Sequence, residues 1–239
     1  MGGVRMIAII SAMRSEIEAL CDKMHCTQNI CLSGCDIYIG KLAGQDVLCA
    51  ISGEGKVNAA ACTEAVILKY QPSAVINIGV GGGIAPFLQT GDIVIADKVV
   101  QHDYDVSALG FNPGQVCNFE DIYMICDQAI CECLYSSAKE VMSDGIYSVY
   151  KGIIATGDSF ISNSVRARDI AAQFDAYVVE MEGASVGQVC LLNRIPFCIV
   201  RTVSDNGGDS ASLDFHTFLT IAIKNITNII EYYLMNTDL

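Results

Sequence analysis

Apolar residues in this chain fall into two kinds of run that take turns along its length. Val4 to Ser11, Ser73 to Gly79, Ile93 to Val100, Tyr147 to Ala155, Tyr177 to Val179 and Phe197 to Val203 are short, nearly unbroken and mostly β-branched, and read as buried strands. Helical spacing carries Ile17, Leu20, Cys21 and Met24, and returns from about Val57 to Tyr70, Glu120 to Met142, Ala184 to Leu192 and Phe215 to Leu234. Tyr177 to Val203 therefore reads as a βαβ unit, and the whole as an α/β chain. Ile30 to Ile51 differs. Its short alternating pieces are broken by Gly34, Gly40 and Gly44, which predicts antiparallel strands and hairpins at one margin. No repeat or linker interrupts the pattern, and 239 residues suit one large domain over 1–239.

Acidic residues collect where these strands stop. Glu180 and Glu182 follow the run ending at Val179, Asp205 follows Val203, and Glu16 lies just past the first strand. In an open parallel sheet, ligands bind beyond the carboxyl ends of the strands, and a carboxylate there is expensive to desolvate unless it is paired or used. The plainer alternatives are helix-start acids at Glu180 and Glu182, a turn cap at Asp205 and a solvated helix residue at Glu16. Val80-Gly81-Gly82-Gly83 lets backbone approach a ligand closely or makes a difficult bend. Ser52-Gly53-Glu54-Gly55-Lys56 enters a helix but matches neither a Walker A loop nor a dinucleotide fingerprint, so it reads as a tight turn rather than a phosphate cradle. His102 lacks an accompanying nucleophile motif and reads as a structural histidine. Phe160, in a polar loop after a strand, either stacks on a flat ligand or packs in the core.

A net charge of −13 with no Lys/Arg cluster argues against nucleic acid and disfavours highly anionic substrates. Twelve cysteines are scattered through apolar stretches without zinc-site spacing, which predicts reduced, mostly buried thiols and no metal site. No run approaches the ~18 apolar residues of a membrane helix. The apolar start is also too short for a signal peptide, so a soluble, cytoplasmic protein without an anchor is expected.

Taken in order, SAMRSEIEAL, INIGVGGG, GDIVIAD, QHDYDV, GDSFI, VVEMEG and VRTVSDNGGD resemble the methylthioadenosine/S-adenosylhomocysteine nucleosidase family of the nucleoside phosphorylase/hydrolase superfamily, nearly end to end. The resemblance implies a three-layer αβα domain around a central mixed, partly barrel-like sheet. It also implies a homodimer that cleaves the adenine–ribose bond without metal or cofactor: Gln101 to Gln115 resembles the family segment that reaches into the partner's pocket, and the apolar Leu109, Phe111 and Val116 there would otherwise be exposed. It makes Asp205 the acid that protonates adenine N7 and Glu16 the base that activates water. Glu182 becomes the ribose-hydroxyl ligand, Met181 packs on the sugar, and Arg201 stands near Glu16 to help hold the water. Phe160 and Ile161 form the purine pocket, Phe215 an apolar wall, and Val80, Gly81, Glu180 and Ser204 further substrate contacts. Val80 stands where the family commonly has Ser, and Cys117 where a proline shapes the pocket for the 5′-substituent. Methylthioadenosine, S-adenosylhomocysteine, 5′-deoxyadenosine and futalosine-type nucleosides are therefore all candidate substrates. The rival readings are a phosphorolytic purine nucleoside enzyme and a noncatalytic nucleoside-binding protein.

Overall fold

The runs Met6–Ser11 and Phe197–Asp205 are buried at nearly every position, as strands covered on both faces must be. The computed structural model describes residues 6–205 and 211–237, and for 211–217 the backbone alone. Its elements are β1 (Met6–Ser11), α1 (Arg14–Lys23), β2 (His25–Leu32), β3 (Cys35–Leu42), β4 (Gln45–Ile51), α2 (Lys56–Tyr70), β5 (Ala74–Gly83), β6 (Ile93–Gln101), a 3-10 turn (Ser107–Leu109), β7 (Met124–Ile125), α3 (Gln128–Val141), β8 (Val149–Thr156), α4 (Ser164–Phe174), β9 (Ala176–Glu180), α5 (Gly183–Asn193), β10 (Phe197–Asp205) and α6 (Ala211–Asn236).

Five strands close on themselves in the order β10, β6, β8, β9, β5 and back to β10. From β5 the sheet continues outward through β1, β4, β3 and β2, ending in an edge strand that is mostly exposed. Helices α1 and α3 pack on α6, and α2 packs on α5, so the sheet is wrapped by helices. The α/β class with a mixed, partly barrel-like centre is thus observed.

The open parallel arrangement expected for the βαβ unit is corrected. β9 runs antiparallel to β5, β5 runs parallel to β10, and β9 and β10 are not neighbours. The reason lies in β5. Its first half pairs with β1, from Ala74 to Asn77, and its last two residues, Gly82 and Gly83, pair with β9 along the same edge. β10 occupies the other edge from Val75 to Gly82. The glycine triplet is therefore strand, not a loop after it. A Cβ on Gly81 would meet Val178 Cγ1 at 2.5 Å and the Val179 carbonyl oxygen at 2.9 Å, so a side chain here would push β9 away.

Three further local expectations change. Residues 120–127 are not helical: the Asp127 carboxylate accepts from Ile130 N–H at 3.0 Å and starts α3 there, while Met124 and Ile125 pair with β6. Helix α4 went unread because only Ala167, Ile170 and Phe174 are buried along it. Its start is marked by Asn163, which accepts from the N–H groups of Val165 and Arg166. Val116, expected to be exposed, is buried at 8%. All twelve cysteines are free thiols.

Closure at Gly81 gives a stability test. Gly81→Ala should destabilise the protein by about 1–3 kcal/mol through overpacking, lowering Tm by roughly 2–10 °C in a chain of this size. An unchanged thermal melt would show that β5 and β9 do not need this close approach.

Candidate active site

Where β5 leaves β1 and joins β9, a stretch of its edge has no strand partner, and its polar groups must be satisfied by side chains. Asn77 Nδ2 donates to the Ile10 carbonyl at 3.0 Å and seals the last β1 contact. Three residues on, the Val80 N–H donates to Glu16 Oε1 at 3.0 Å. Glu16 is the third residue of α1, and its other oxygen accepts from Ser11 Oγ at 2.6 Å and from the Met13 N–H at 3.0 Å. It therefore caps its own helix and reaches the fork at once. With 3% exposure and three donors its carboxyl plane is fixed. A Cβ on Gly79 would lie 2.8 Å from Glu16 Oε1, so only glycine admits this approach.

The fork opens into a cavity of about 300 Å³. Glu16, Met13 and Ala12 wall one part, Val80 to Gly82 form the floor, and Ser204 and Asp205 close another part. Asp205 ends β10 at a bulge after Val203 and is 2% exposed. Ser204 Oγ lies 2.7 Å from Asp205 Oδ2 and 3.3 Å from the Gly81 carbonyl oxygen. Ser159, Phe160 and Ile161 supply an apolar side, with Phe160 half exposed and Ile161 buried. Met181 and Glu182 complete the wall. Phe215 lies on α6, but its side chain is outside the described residues, as are Asn206 to Gly208.

Glu180 is differently placed from its neighbours. Its carboxylate accepts from Thr156 Oγ1 and Arg201 Nη2, and from the N–H groups of Glu182 at 2.9 Å and Gly183 at 2.7 Å. Arg201, 1% exposed, also donates to Asn77 Oδ1 at 2.6 Å and to the Val200 carbonyl. Arg201 does not line the cavity; its guanidinium lies under the wall, against Glu180. This pair fixes the turn that starts α5, and a buried charge left without its partner is strongly destabilising.

Glu182 is 7% exposed, and its Oε1 accepts from the Gly55 N–H at 2.7 Å. Burial pushes its carboxyl up from the ordinary 4.5 to about 7. The Glu180 carboxylate adds to this, while Arg201 and the Gly55 N–H pull the other way. The turn read as Ser52 to Lys56 is thus a turn whose amides serve protein carboxylates, since the Lys56 N–H also donates to Asp158 at 2.8 Å. His102 lies outside the cavity, against Gly157, with its pKa lowered chiefly by burial.

Sequence reasoning missed Ser11, Thr156, Gly55 and Glu54. Ser11 and Thr156 are the last residues of buried strands, the same positional signal that singled out the acids. Five carboxylates, Glu16, Glu54, Glu180, Glu182 and Asp205, line the cavity, and among the described residues no lysine or arginine does. Arg14 is turned away, donating to Tyr38 Oη at 2.7 Å and to Asp36 at 2.6 Å.

A sequence profile of the Phosphorylase superfamily matches residues 6–235. A 5′-methylthioadenosine/S-adenosylhomocysteine nucleosidase of Marinomonas sp. (strain MWYL1) is 39% identical over 231 residues, 96% of this chain and 98% of that one. A crystal structure of the nucleosidase of that name from Neisseria meningitidis, in complex with methylthio-immucillin-A, superposes with a TM-score of 0.92 at 33% identity, covering 98% of this chain and 100% of that one. The native futalosine hydrolase of Helicobacter pylori strain 26695 superposes with a TM-score of 0.89 at 30% identity, covering 98% and 99%.

The raised Glu182 pKa has a sign that can be checked. The folded chain holds this proton more tightly than the unfolded one, so the contribution to stability is complete below about 4.5 and is lost as pH rises through about 7. Urea midpoints of the unliganded protein should therefore fall across that window relative to those of Glu182→Gln. Parallel profiles for the two proteins would mean that Glu182 titrates as it does when unfolded.

Proposed function

The chain belongs to the phosphorylase superfamily and, within it, to the 5′-methylthioadenosine/S-adenosylhomocysteine nucleosidases, and from that premise we propose a hydrolysis in which Asp205 protonates the adenine leaving group and Glu16 activates water. What carries this reading is a pair of buried carboxyl groups on the wall of one cavity whose described lining residues include no lysine or arginine to hold phosphate. The C1′–N9 bond breaks as Asp205 gives its proton to adenine N7. Positive charge develops on the ribosyl ring among the cavity's carboxylates, and the water oxygen bonds to C1′ as its proton passes to Glu16. The half-exposed Phe160 ring offers a face to the purine, and Glu182 accepts from the ribose hydroxyls. The products are adenine and the 5-substituted ribose.

Water is favoured over phosphate by charge. A phosphate dianion would enter a cavity lined by five carboxylates, while Arg14 is engaged at the surface and Arg201 beneath the wall. Methylthioadenosine, S-adenosylhomocysteine and 5′-deoxyadenosine are the proposed substrates. Relatives carrying the methylthioadenosine/S-adenosylhomocysteine name reach 40% identity over 94% of this chain, and they favour adenine as the base. Twelve free thiols suit a reducing cytoplasm.

Adenine release from methylthioadenosine in phosphate-free buffer is the test. Asp205→Asn and Glu16→Gln should each lower kcat by roughly 10²–10⁴-fold, the usual size of a general acid or base contribution. Turnover that requires phosphate and yields ribose 1-phosphate would overturn the hydrolytic reading, and near-normal kcat in Asp205→Asn would move the acid elsewhere.

A homodimer is also proposed. The segment after β6 is tied to the cavity by Asp103, which accepts from Lys56 Nζ at 2.7 Å and from the Asp158 N–H at 2.9 Å, and it exposes Leu109 at 74% and Phe111 at 39%. Sedimentation should give about twice the chain mass of 25.6 kDa. A fully active monomer would contradict this.

A further inference from the structure

We infer that Glu54 discriminates among nucleosides by the charge of their 5′-substituent, favouring those that carry an ammonium group; the inference rests on the nucleoside reading above. Of the five carboxylates lining the cavity, Glu54 alone is exposed. Glu16 and Glu180 are each held by three or more donors, Glu182 by the Gly55 N–H and Asp205 by Ser204. Among the described residues nothing pairs with the Glu54 side chain. Asn58 Nδ2 binds its carbonyl oxygen instead, and the nearby Lys56 ammonium is engaged by Asp103 and Gln101.

Glu54 is nonetheless well placed. It precedes Gly55, whose backbone φ of +90° and bond to Glu182 hold the turn against the carboxylate assigned to the ribose hydroxyls. The turn is tied to that sugar contact and not to Ser204 and Asp205 at the purine end. The substituent that varies on the sugar side is the one at C5′, so Glu54 borders that substituent's path to solvent. A carboxylate on the rim attracts an ammonium, is indifferent to a neutral thioether and repels a carboxylate. No lysine or arginine is among the described lining residues to offset the repulsion, and the Lys56 ammonium is engaged by Asp103 and Gln101. An exposed pair of this kind is worth about two- to fivefold in an equilibrium and is weakened by salt.

Three synthetic nucleosides of matched size isolate the charge: 5′-(2-aminoethylthio)adenosine, 5′-(2-hydroxyethylthio)adenosine and 5′-(carboxymethylthio)adenosine, with methylthioadenosine as the reference. In the wild-type protein at low ionic strength, kcat/KM should follow the order ammonium, hydroxyl, carboxylate. The ammonium-to-hydroxyl ratio should be about two to five, shrinking as salt is added. Glu54→Gln should bring that ratio close to one, and Glu54→Lys should invert the order of ammonium and carboxylate. Equal ratios in wild type and both variants, or a wild-type ratio that ignores salt, would overturn the role of Glu54. Failure of the wild type to release adenine from methylthioadenosine would instead overturn the nucleosidase reading itself, so the two failures are separable.

Discussion

A strand has two edges, and β5 must serve three neighbours. It pairs with β10 along one edge, but on the other it can follow β1 only to Asn77 before β9 takes over at Gly82. Between those points the edge is open, and an unpaired backbone donor in a buried place is costly. Glu16 answers the Val80 N–H, glycines at 79 and 81 let Glu16 and β9 come close, and the cavity is the space the diverging strands leave. The site is thus the residue of a topological conflict and not a pocket cut into a finished sheet.

The second organising element is a cation that does not line the cavity. Arg201 lies under the wall and joins Asn77 on β5 to Glu180 on β9, with Thr156 of β8 completing the cage. Four barrel strands and the start of α5 are thereby held together. The same arrangement explains how two acids can stand two residues apart in a dry place. Glu180 takes the guanidinium, and Glu182, 3.9 Å from it, is left with a raised pKa. Buried ion pairs often add little net stability; here the pair sets geometry.

Much of this was legible in the chain, for reasons that can be named. A strand run such as Ile7 to Ile10 is buried on both faces and so keeps no polar residue to blur the signal, and the acids beyond the strand ends stood out for the same reason. The direction of β9 was not legible, because an apolar run as short as Tyr177 to Val179 records burial and not which way its neighbours run. Helix α4 was hidden by its composition, since three buried residues among charged ones make a faint stripe. Glu180 and Glu182 look alike in sequence; only the fold shows that one faces Arg201 and the other the Gly55 amide. Val116 was misjudged because an apolar residue in a polar segment says nothing about whether the chain folds back over it.

The last strand in the chain is also the one that closes the barrel, since β10 inserts between β5 and β6. Until it does, both of those strands present bare edges, and such edges invite pairing with other chains. On a ribosome Glu16 emerges long before Asp205. Pairing of β10 with β5 joins parts of the chain that lie far apart in sequence, which slows folding and delays its reward. A nascent chain lacking β10 would therefore hold Glu16 without Asp205 and would leave two strand edges bare. Closure of the barrel and assembly of the cavity are therefore one event, since both wait for β10.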